Sequence, residues 1–173
     1  MTLEEIKNLI REIPDFPRAG IGFKDITPVL KNGDAFRSAV DLLADSLKGR
    51  KFDAIAGPEA RGFLFGAPLA YKFGVGFIPV RKPGKLPAET VSYEYELEYG
   101  MDSLEIHKDS IYKGERVVLF DDLLATGGTI YAAAKLIESL GGIVDSIIFL
   151  TELTFLNGRN KLDEYDIISL IRF

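Results

Sequence analysis

The sequence contains no cysteine and no tryptophan, and only one histidine among its 173 residues. Without cysteine the chain can form neither a disulfide bond nor a thiolate metal site, and it has no thiol nucleophile. Because proteins without disulfides are typical of reducing compartments, we expect a cytoplasmic protein. At this length the chain is expected to fold as a single domain, residues 1–173.

The sequence also lacks long apolar runs and an excess of positive charge. No stretch approaches the ~18 uninterrupted apolar residues of a membrane-spanning helix, and the first residues, MTLEEIKNLIREI, are acidic and amphipathic, unlike a signal peptide. The formal net charge of -5 disfavours binding to nucleic acid or to an anionic membrane. We therefore expect no nucleic-acid or membrane partner, and any anionic ligand must be held by a local group of residues.

The first third of the chain divides into two helical segments with a loop between them. Thr2 and Glu5 have capping-box spacing, and the apolar residues that follow at helical spacing predict a first helix that continues to Ile13. Residues 14–33 are rich in proline and glycine and are expected to form an extended loop. Residues 34–48 are amphipathic and predict a second helix.

From residue 52 onward, apolar runs alternate with helical segments. The strings FDAIAGPEARG, FLFGAPLAYKFG and VGFIPVR predict a strand, a helix and a second strand, and the same order recurs from Arg116, with a last strand in DIISLIRF. Uniformly apolar strands indicate a parallel sheet with helices on both faces, so the predicted fold class is α/β. Residues 81–109 interrupt this order and predict a mobile loop followed by a hairpin, TVSYEYELEYG and SLEIHK.

One string, VVLFDDLLATGGT at residues 117–129, carries most of the chemical information. Its apolar run predicts a buried strand that ends at Asp121 and Asp122, where parallel α/β sheets bind their ligands. The turn that follows leads into a helix, whose free N–H groups bind phosphate when glycine allows close approach. Neighbouring carboxylates can accept hydrogen bonds from sugar hydroxyls. The string therefore predicts a ribose 5-phosphate site, with the phosphate on Ala125, Thr126, Gly127, Gly128 and Thr129.

Taken singly, these residue types have other interpretations. Acids and threonines at a strand–helix junction often cap the helix, and an aspartate at a strand end can bind a metal or accept a phosphoryl group. The whole string is more specific, because it resembles the signature with which type I phosphoribosyltransferases bind 5-phosphoribosyl 1-pyrophosphate (PRPP). Five further strings are similar, in the same order, to adenine-specific members of that family: PDFPRAGIGFKDITPVL, EARGFLFGAPLA, VRKPGKLP, LEYGMDSLEIHKD and TELTFLNGRNKL.

The resemblance implies the type I phosphoribosyltransferase fold. In this fold a central, mainly parallel sheet is flanked by helices, with a flexible loop and hairpin and, within residues 1–33, a small N-terminal hood that covers the base. The implied reaction transfers the 5-phosphoribosyl group from PRPP to adenine and yields AMP and pyrophosphate. Mg²⁺ is expected mainly on PRPP, with no direct metal ligand from the protein, and a homodimer is expected.

The same resemblance implies roles for residues outside the phosphate string. Glu98 matches a family glutamate near the base that could handle the N9 proton of adenine, and Tyr99 is its expected partner in the lid. A cis peptide is frequent in the family at the position of Glu59-Ala60, and many relatives carry arginine where this chain has Lys24. The implied pyrophosphate-binding residues are Glu59, Ala60, Arg61, Arg81, Lys82 and Lys85, and the implied adenine-binding residues are Gly22, Phe23, Lys24 and Leu156.

Two alternative functions stay open at this point. The first is another purine on the same fold, although relatives specific for 6-oxopurines use a lysine near the C-terminus that the tail LDEYDIISLIRF lacks. The second is a PRPP-sensing regulator without turnover, although such proteins need a basic surface or an added DNA-binding segment. The single histidine, His107, has no partner motif and is expected to be structural.

Overall fold

The structure, a computed structural model, describes residues 1–16, 22–96 and 100–173. No helix within these ranges is long and apolar enough to cross a bilayer. The helices are α1 (Leu3–Leu9), α2 (Thr27–Lys31), α3 (Gly33–Ser46), α4 (Arg61–Phe73) and α5 (Gly128–Ser139). The strands are β1 (Arg11–Ile13), β2 (Phe23–Asp25), β3 (Ala54–Pro58), β4 (Gly76–Val80), β5 (Thr90–Glu96), β6 (Met101–His107), β7 (Arg116–Leu124), β8 (Ile143–Glu152) and β9 (Ile167–Arg172). Two 3₁₀ turns, Thr154–Leu156 and Gly158–Lys161, lie between β8 and β9.

The central sheet contains five parallel strands in the order β4-β3-β7-β8-β9. Strand β7 occupies the middle, where Leu119 pairs with Ala56 of β3 on one side and with Ile147 of β8 on the other. Because all five strands run in the same direction, their carboxyl ends share one edge, and ligands of such sheets bind beyond that edge. The predicted α/β class with a parallel sheet is confirmed.

Side chains that alternate along β7 build two separate hydrophobic clusters. Val117 and Leu119 pack with α5 and the β5–β6 hairpin, while Val118 and Phe120 pack with α1, α3 and α4. All four of these side chains are fully buried. Both sides of this strand are buried, which explains why its sequence shows no alternation of polar and apolar residues. The predicted burial of both faces of the sheet is therefore confirmed for β7.

The N-terminal segment differs in part from its prediction. The capping box at Thr2 is present, but α1 ends at Leu9 and the predicted continuation to Ile13 is wrong. Instead, Arg11–Ile13 pairs antiparallel with Phe23–Asp25, so strand pairing within the chain overrides the local helical spacing. The predicted loop of residues 14–33 likewise contains β2 and α2.

Later element predictions are confirmed with small shifts at their ends. Helix α3 and the β5–β6 hairpin fall where they were predicted, and α4 begins at Arg61, two residues before the predicted string. Strand β7 continues beyond the acid pair, since Leu123 and Leu124 still pair with Thr151 and Glu152 of β8. The two acids therefore belong to the last part of the strand and are held by the sheet itself.

Candidate functional site

A cavity of about 180 Å³ lies at the carboxyl end of β7, beside the start of α5. Its lining includes Arg61, Asp121 and all five residues of the predicted phosphate site, residues 125–129, which form the phosphate turn. Helix α5 has no side-chain cap among the described residues. Its first N–H groups are therefore available to an anion in the cavity, and their partial positive charge favours one.

Two glycines from different segments shape the back of the phosphate turn. Gly127 has φ +83°, and a side chain there would place Cβ 2.7 Å from the carbonyl oxygen of Gly158. Gly158 is buried, and a Cβ on it would overlap the carbonyl oxygen of Ala125. The left-handed backbone of Gly127 and the close approach of the two segments both require glycine.

The acid pair lies next to the phosphate turn, and Arg61 faces it. Asp122 is 2% exposed, and its Oδ2 lies 3.2 Å from Nε of Arg61 at the start of α4. This oxygen has no hydrogen bond among the described residues. Asp121 accepts a hydrogen bond of 2.9 Å from the backbone N–H of Asp122. An unsatisfied buried carboxylate oxygen costs stability, so a donor from a ligand is the natural partner for it.

Burial raises the pKa of both carboxyl groups in the pair. At Asp121 the pKa lies well above the ordinary range, because burial and the neighbouring Asp122 carboxylate both disfavour its charge. At Asp122 burial also raises the pKa, while the charge of Arg61 counteracts part of the rise. Burial at the edge of the sheet therefore makes both charges costly in the absence of a ligand.

The segment GPEARG connects β3 to α4 and passes directly over β7. A Cβ on Gly57 would lie 2.9 Å from the carbonyl oxygen of Phe120, and one on Gly62 would lie 3.2 Å from the same oxygen. These contacts bring the segment up against the acid pair and place Arg61 opposite Asp122. The peptide bond between Glu59 and Ala60 is cis, as the family resemblance predicted.

Arg81, one of the predicted pyrophosphate-binding cations, is held by an acid in the structure. Its guanidinium donates two hydrogen bonds to Oε2 of Glu59, from Nε at 2.8 Å and from Nη2 at 2.7 Å. Burial raises the pKa of Glu59, but the N–H of Lys82 and the guanidinium of Arg81 outweigh it, so the pKa lies below its usual value. Lys85, the third predicted cation, is exposed, and its carbonyl oxygen accepts a further hydrogen bond from Arg81.

Lys82 is paired with Asp102, a residue that the sequence did not single out. Burial lowers the pKa of the Lys82 ammonium, yet the Asp102 carboxylate more than compensates, and the pKa lies above its usual value. The hydroxyl of Tyr95 donates to the same carboxylate at 3.2 Å and lies 3.3 Å from Oγ1 of Thr129. Tyr95 thus joins the hairpin to the phosphate turn.

Of the predicted adenine-binding residues, Phe23 lies near the acid pair, whereas the Lys24 side chain does not point towards it. The Phe23 ring lies 5.4 Å from the guanidinium of Arg61, which places it beside the acid pair, and its other neighbour is Phe16 at 5.2 Å. Lys24 directs its amine away, to Glu12 and to the Phe173 ring. Gly22 and Leu156 are partly buried, with Leu156 in the 3₁₀ turn after β8.

Glu98 and Tyr99 lie outside the described residues, so their placement stays a prediction. His107 accepts a hydrogen bond from the backbone N–H of Ala88, a contact within the hairpin region that suits its expected structural role. Within residues 1–16, 22–96 and 100–173, no group of three or more histidine, aspartate or glutamate side chains could hold a metal ion.

Comparison with known proteins agrees with this geometry. The family model for the phosphoribosyl transferase domain matches residues 26–169. The adenine phosphoribosyltransferase of Thermoanaerobacter pseudethanolicus is 79% identical over 173 residues, the full length of both chains. A crystal structure of adenine phosphoribosyltransferase from that organism superposes with a TM-score of 0.98 at 78% identity, covering 99% of this chain and 100% of the other.

A more distant structure extends the comparison to a ligand complex. Adenine phosphoribosyltransferase from Saccharomyces cerevisiae, complexed with D-2,5-dideoxy-2,5-imino-altritol 1,6-bisphosphate and adenine, has a TM-score of 0.92 and 42% identity, covering 97% of each chain. The match holds over nearly the whole length of both proteins. The chain belongs to the phosphoribosyltransferase family and, within it, to the adenine phosphoribosyltransferases.

Proposed function

We propose that the transfer of the 5-phosphoribosyl group from PRPP to adenine takes place at the cavity between β7 and α5. The 5-phosphate binds the N–H groups of the phosphate turn, and the ribose hydroxyls donate to Asp121 and Asp122. The observation that carries this assignment is the buried Oδ2 of Asp122, which has no hydrogen bond among the described residues although it lies beside a phosphate-sized cavity. A ribose hydroxyl supplies the missing donor.

The pyrophosphate end of PRPP binds on the opposite side of the acid pair, at residues 59–61 and at the cations Arg81, Lys82 and Lys85. When pyrophosphate leaves, charge grows on its oxygens, and guanidinium and ammonium groups stabilise that charge. We expect Mg²⁺ to arrive on PRPP, as it does in the family that the sequence resembles. Carried on PRPP, Mg²⁺ would neutralise part of the charge on the leaving pyrophosphate.

The base lies on the hood side of the acid pair. Phe23 stacks on one face of adenine, the backbone at Gly22 and Lys24 contacts its edge, and Leu156 packs on the opposite side. As the new bond forms between N9 of adenine and C1 of the ribose, the N9 proton is lost. Glu98 accepts that proton or orients the reacting groups, with Tyr99 as its expected partner in the lid.

Turnover by the purified protein tests this proposal directly. With labelled adenine, PRPP and Mg²⁺, AMP and pyrophosphate are expected to form in equal amounts. Hypoxanthine or xanthine as the preferred base would instead support the first alternative function. Tight PRPP binding without any AMP formation would support the PRPP-sensing alternative and overturn the proposal.

Replacing Phe23 with alanine is expected to raise the KM for adenine about 5- to 150-fold, because base–aromatic stacking contributes roughly 1–3 kcal/mol. The KM for PRPP should change less, since Phe23 does not line the cavity at the phosphate turn. Steady-state kinetics with each substrate varied in turn makes the measurement. The matched control is Phe16→Leu, which changes the aromatic side chain that packs against Phe23 and keeps the Phe23 ring itself. A change in KM for PRPP alone would contradict the stacking role.

Replacing Glu98 with glutamine is expected to lower kcat about 10²-fold, the usual contribution of a general base. Binding of PRPP, measured by titration calorimetry without adenine, should stay close to wild type. Glu96, an exposed acid at the end of β5, offers the control, since Glu96→Gln should leave kcat unchanged. Loss of PRPP affinity in the Glu98 variant would show that this carboxylate acts in PRPP binding rather than on adenine.

The family membership also supports a cytoplasmic homodimer. The absence of cysteine suits a reducing compartment, and two large apolar side chains of α4, Leu64 and Tyr71, are 42% and 90% exposed, respectively. Light scattering coupled to size exclusion should give twice the chain mass of 19.1 kDa. A monomer at micromolar concentration would refute the dimer and leave the chemistry of the site unchanged.

A further inference from the structure

The segment after β8 forms the back wall of the phosphate turn. The N–H of Leu153 donates to the carbonyl oxygen of Leu124 at 2.9 Å, and this bond ties the segment to the end of β7. Five residues later, Gly158 packs on Ala125 and Gly127 so closely that neither glycine has room for a side chain. The phosphate turn therefore rests on the Asn157–Gly158 backbone, where Asn157 has a left-handed conformation with φ 52°.

Arg159, the next residue, is held by a carboxylate at the end of β8. Its Nε and Nη2 lie 2.7 and 2.8 Å from the two oxygens of Glu152, which is 5% exposed. Its remaining donors reach β9, with Nη1 at 3.3 Å from the carbonyl oxygen of Ile167 and Nη2 at 3.2 Å from Oγ of Ser169. One guanidinium thus joins the segment to two strands of the sheet.

The two hydrogen bonds between Arg159 and Glu152 fix the orientation of the guanidinium relative to the carboxylate. A guanidinium that binds a carboxylate through two parallel hydrogen bonds has a fixed orientation, which a lysine cannot reproduce. The Glu152 carboxylate is nearly buried, so the loss of its partner would leave a costly charge, and the segment would be expected to shift to relieve it. Arg172 also approaches Glu152, with Nε 3.4 Å from Oε2, but it belongs to β9 and does not hold the segment.

We propose that Arg159 is a positioning residue for PRPP binding. Through Glu152 it fixes the Asn157–Gly158 backbone against the phosphate turn, and so sets the N–H groups that receive the 5-phosphate. Arg159 does not line the cavity, so it acts through the turn rather than by contact with the ligand. The inference rests on the proposed location of the phosphate. It adds a residue that affects PRPP binding without contacting the phosphate.

The test compares Arg159→Lys with the matched variant Arg172→Lys. Both replace an arginine that faces Glu152, but only the first loosens the segment behind the phosphate turn. For Arg159→Lys, we expect the dissociation constant and the KM for PRPP to rise about five- to tenfold, with kcat within about twofold of wild type. Arg172→Lys should leave both PRPP constants unchanged, whatever it does to the melting temperature.

A purely structural role would give a different pattern. If both variants lowered the melting temperature and neither changed PRPP binding, or if Arg159→Lys lowered kcat at an unchanged KM, the proposal would be overturned. Should Arg159→Lys fail to fold, Ser169→Ala removes a hydroxyl that contacts both Arg159 and Glu152 while the ion pair itself stays, and it should raise the PRPP dissociation constant about twofold. An unchanged constant in that variant would also overturn the proposal.

Titration calorimetry with PRPP alone keeps this inference separate from the proposed function. A wild-type protein that binds PRPP but does not turn over would refute the catalytic role, while the Arg159 comparison would still give an answer. Conversely, normal turnover with unaltered PRPP binding in Arg159→Lys would leave the function intact and refute the positioning role.

Discussion

Replacing Gly127 with valine is expected to lower PRPP affinity and kcat/KM by at least about 10³-fold, which corresponds to roughly 4 kcal/mol. Two effects add at this position. The backbone has φ +83°, which a β-branched residue rarely adopts, and the new Cβ would meet the carbonyl oxygen of Gly158 at 2.7 Å. The phosphate turn must therefore move, and its N–H groups no longer converge on the 5-phosphate.

Gly128 provides the matched control, because it is the next residue and lines the same cavity. A Cβ there would lie 3.5 Å from the Tyr95 ring, an ordinary contact. Gly128→Ala should therefore fold and bind PRPP within about tenfold of wild type. PRPP affinity of Gly127→Val equal to that of wild type, measured by calorimetry, would mean that the phosphate binds elsewhere.

Replacing both Asp121 and Asp122 with asparagine is expected to lower kcat/KM for PRPP about 10³-fold. Each hydrogen bond from a ribose hydroxyl to a charged acceptor contributes roughly 1.5–3 kcal/mol, and two such bonds are weakened. The same change should raise the stability of the ligand-free protein at neutral pH, since it removes one buried and one partly buried carboxylate whose ionised forms the fold disfavours.

The pH dependence of this stabilisation has a definite sign. A carboxyl group whose pKa is raised in the folded state favours folding below its unfolded pKa of about 4, and that contribution is lost as the pH rises through the folded pKa. The melting temperature of the double variant should therefore exceed that of wild type by an amount that grows from pH 4 to pH 7. Thermal unfolding across this range, followed by circular dichroism, measures the difference.

Asp145 supplies the control for the acid pair at the opposite end of the sheet. It is also buried, but Arg50 and Arg116 both approach it. Asp145→Asn should lower the melting temperature and leave PRPP binding unchanged. If the double variant of the acid pair were less stable than wild type at pH 7, burial would not be the dominant influence on these carboxylates.

The sequence predicted most of the fold because its local patterns and its tertiary contacts agree. The strand at Val117–Phe120 is uniformly apolar since both of its faces are covered, and the glycine-rich turn follows because α5 must begin close to β7. The N-terminal prediction failed at residues 11–13, whose apolar spacing suits a helix while their actual partner, β2, lies ten or more residues away. Local pattern carries no information on such pairing.

The candidate site was predictable to the extent that its residues form one continuous string. The acid pair and the phosphate turn are contiguous, so a single motif contains them. Asp102, Glu152 and Arg159 act through contacts between separate segments, and nothing in their neighbouring residues distinguishes them from surface charges. The difference between Gly127 and Gly128 likewise depends on φ and on the position of Gly158, neither of which a sequence displays.

The pairing of Arg81 with Glu59 and of Lys82 with Asp102 has a consequence for ligand selection. The carboxylates of Glu59 and Asp102 compete with an incoming anion for the two cations. The binding free energy of the anion is therefore reduced by the free energy of the two ion pairs that it must break. We expect a singly charged ion such as chloride to displace these carboxylates poorly, and a pyrophosphate group, with several charges spread over two phosphorus centres, to displace them more readily. Millimolar inorganic phosphate or chloride should therefore compete weakly with PRPP, and Asp102→Asn should make the enzyme more sensitive to both.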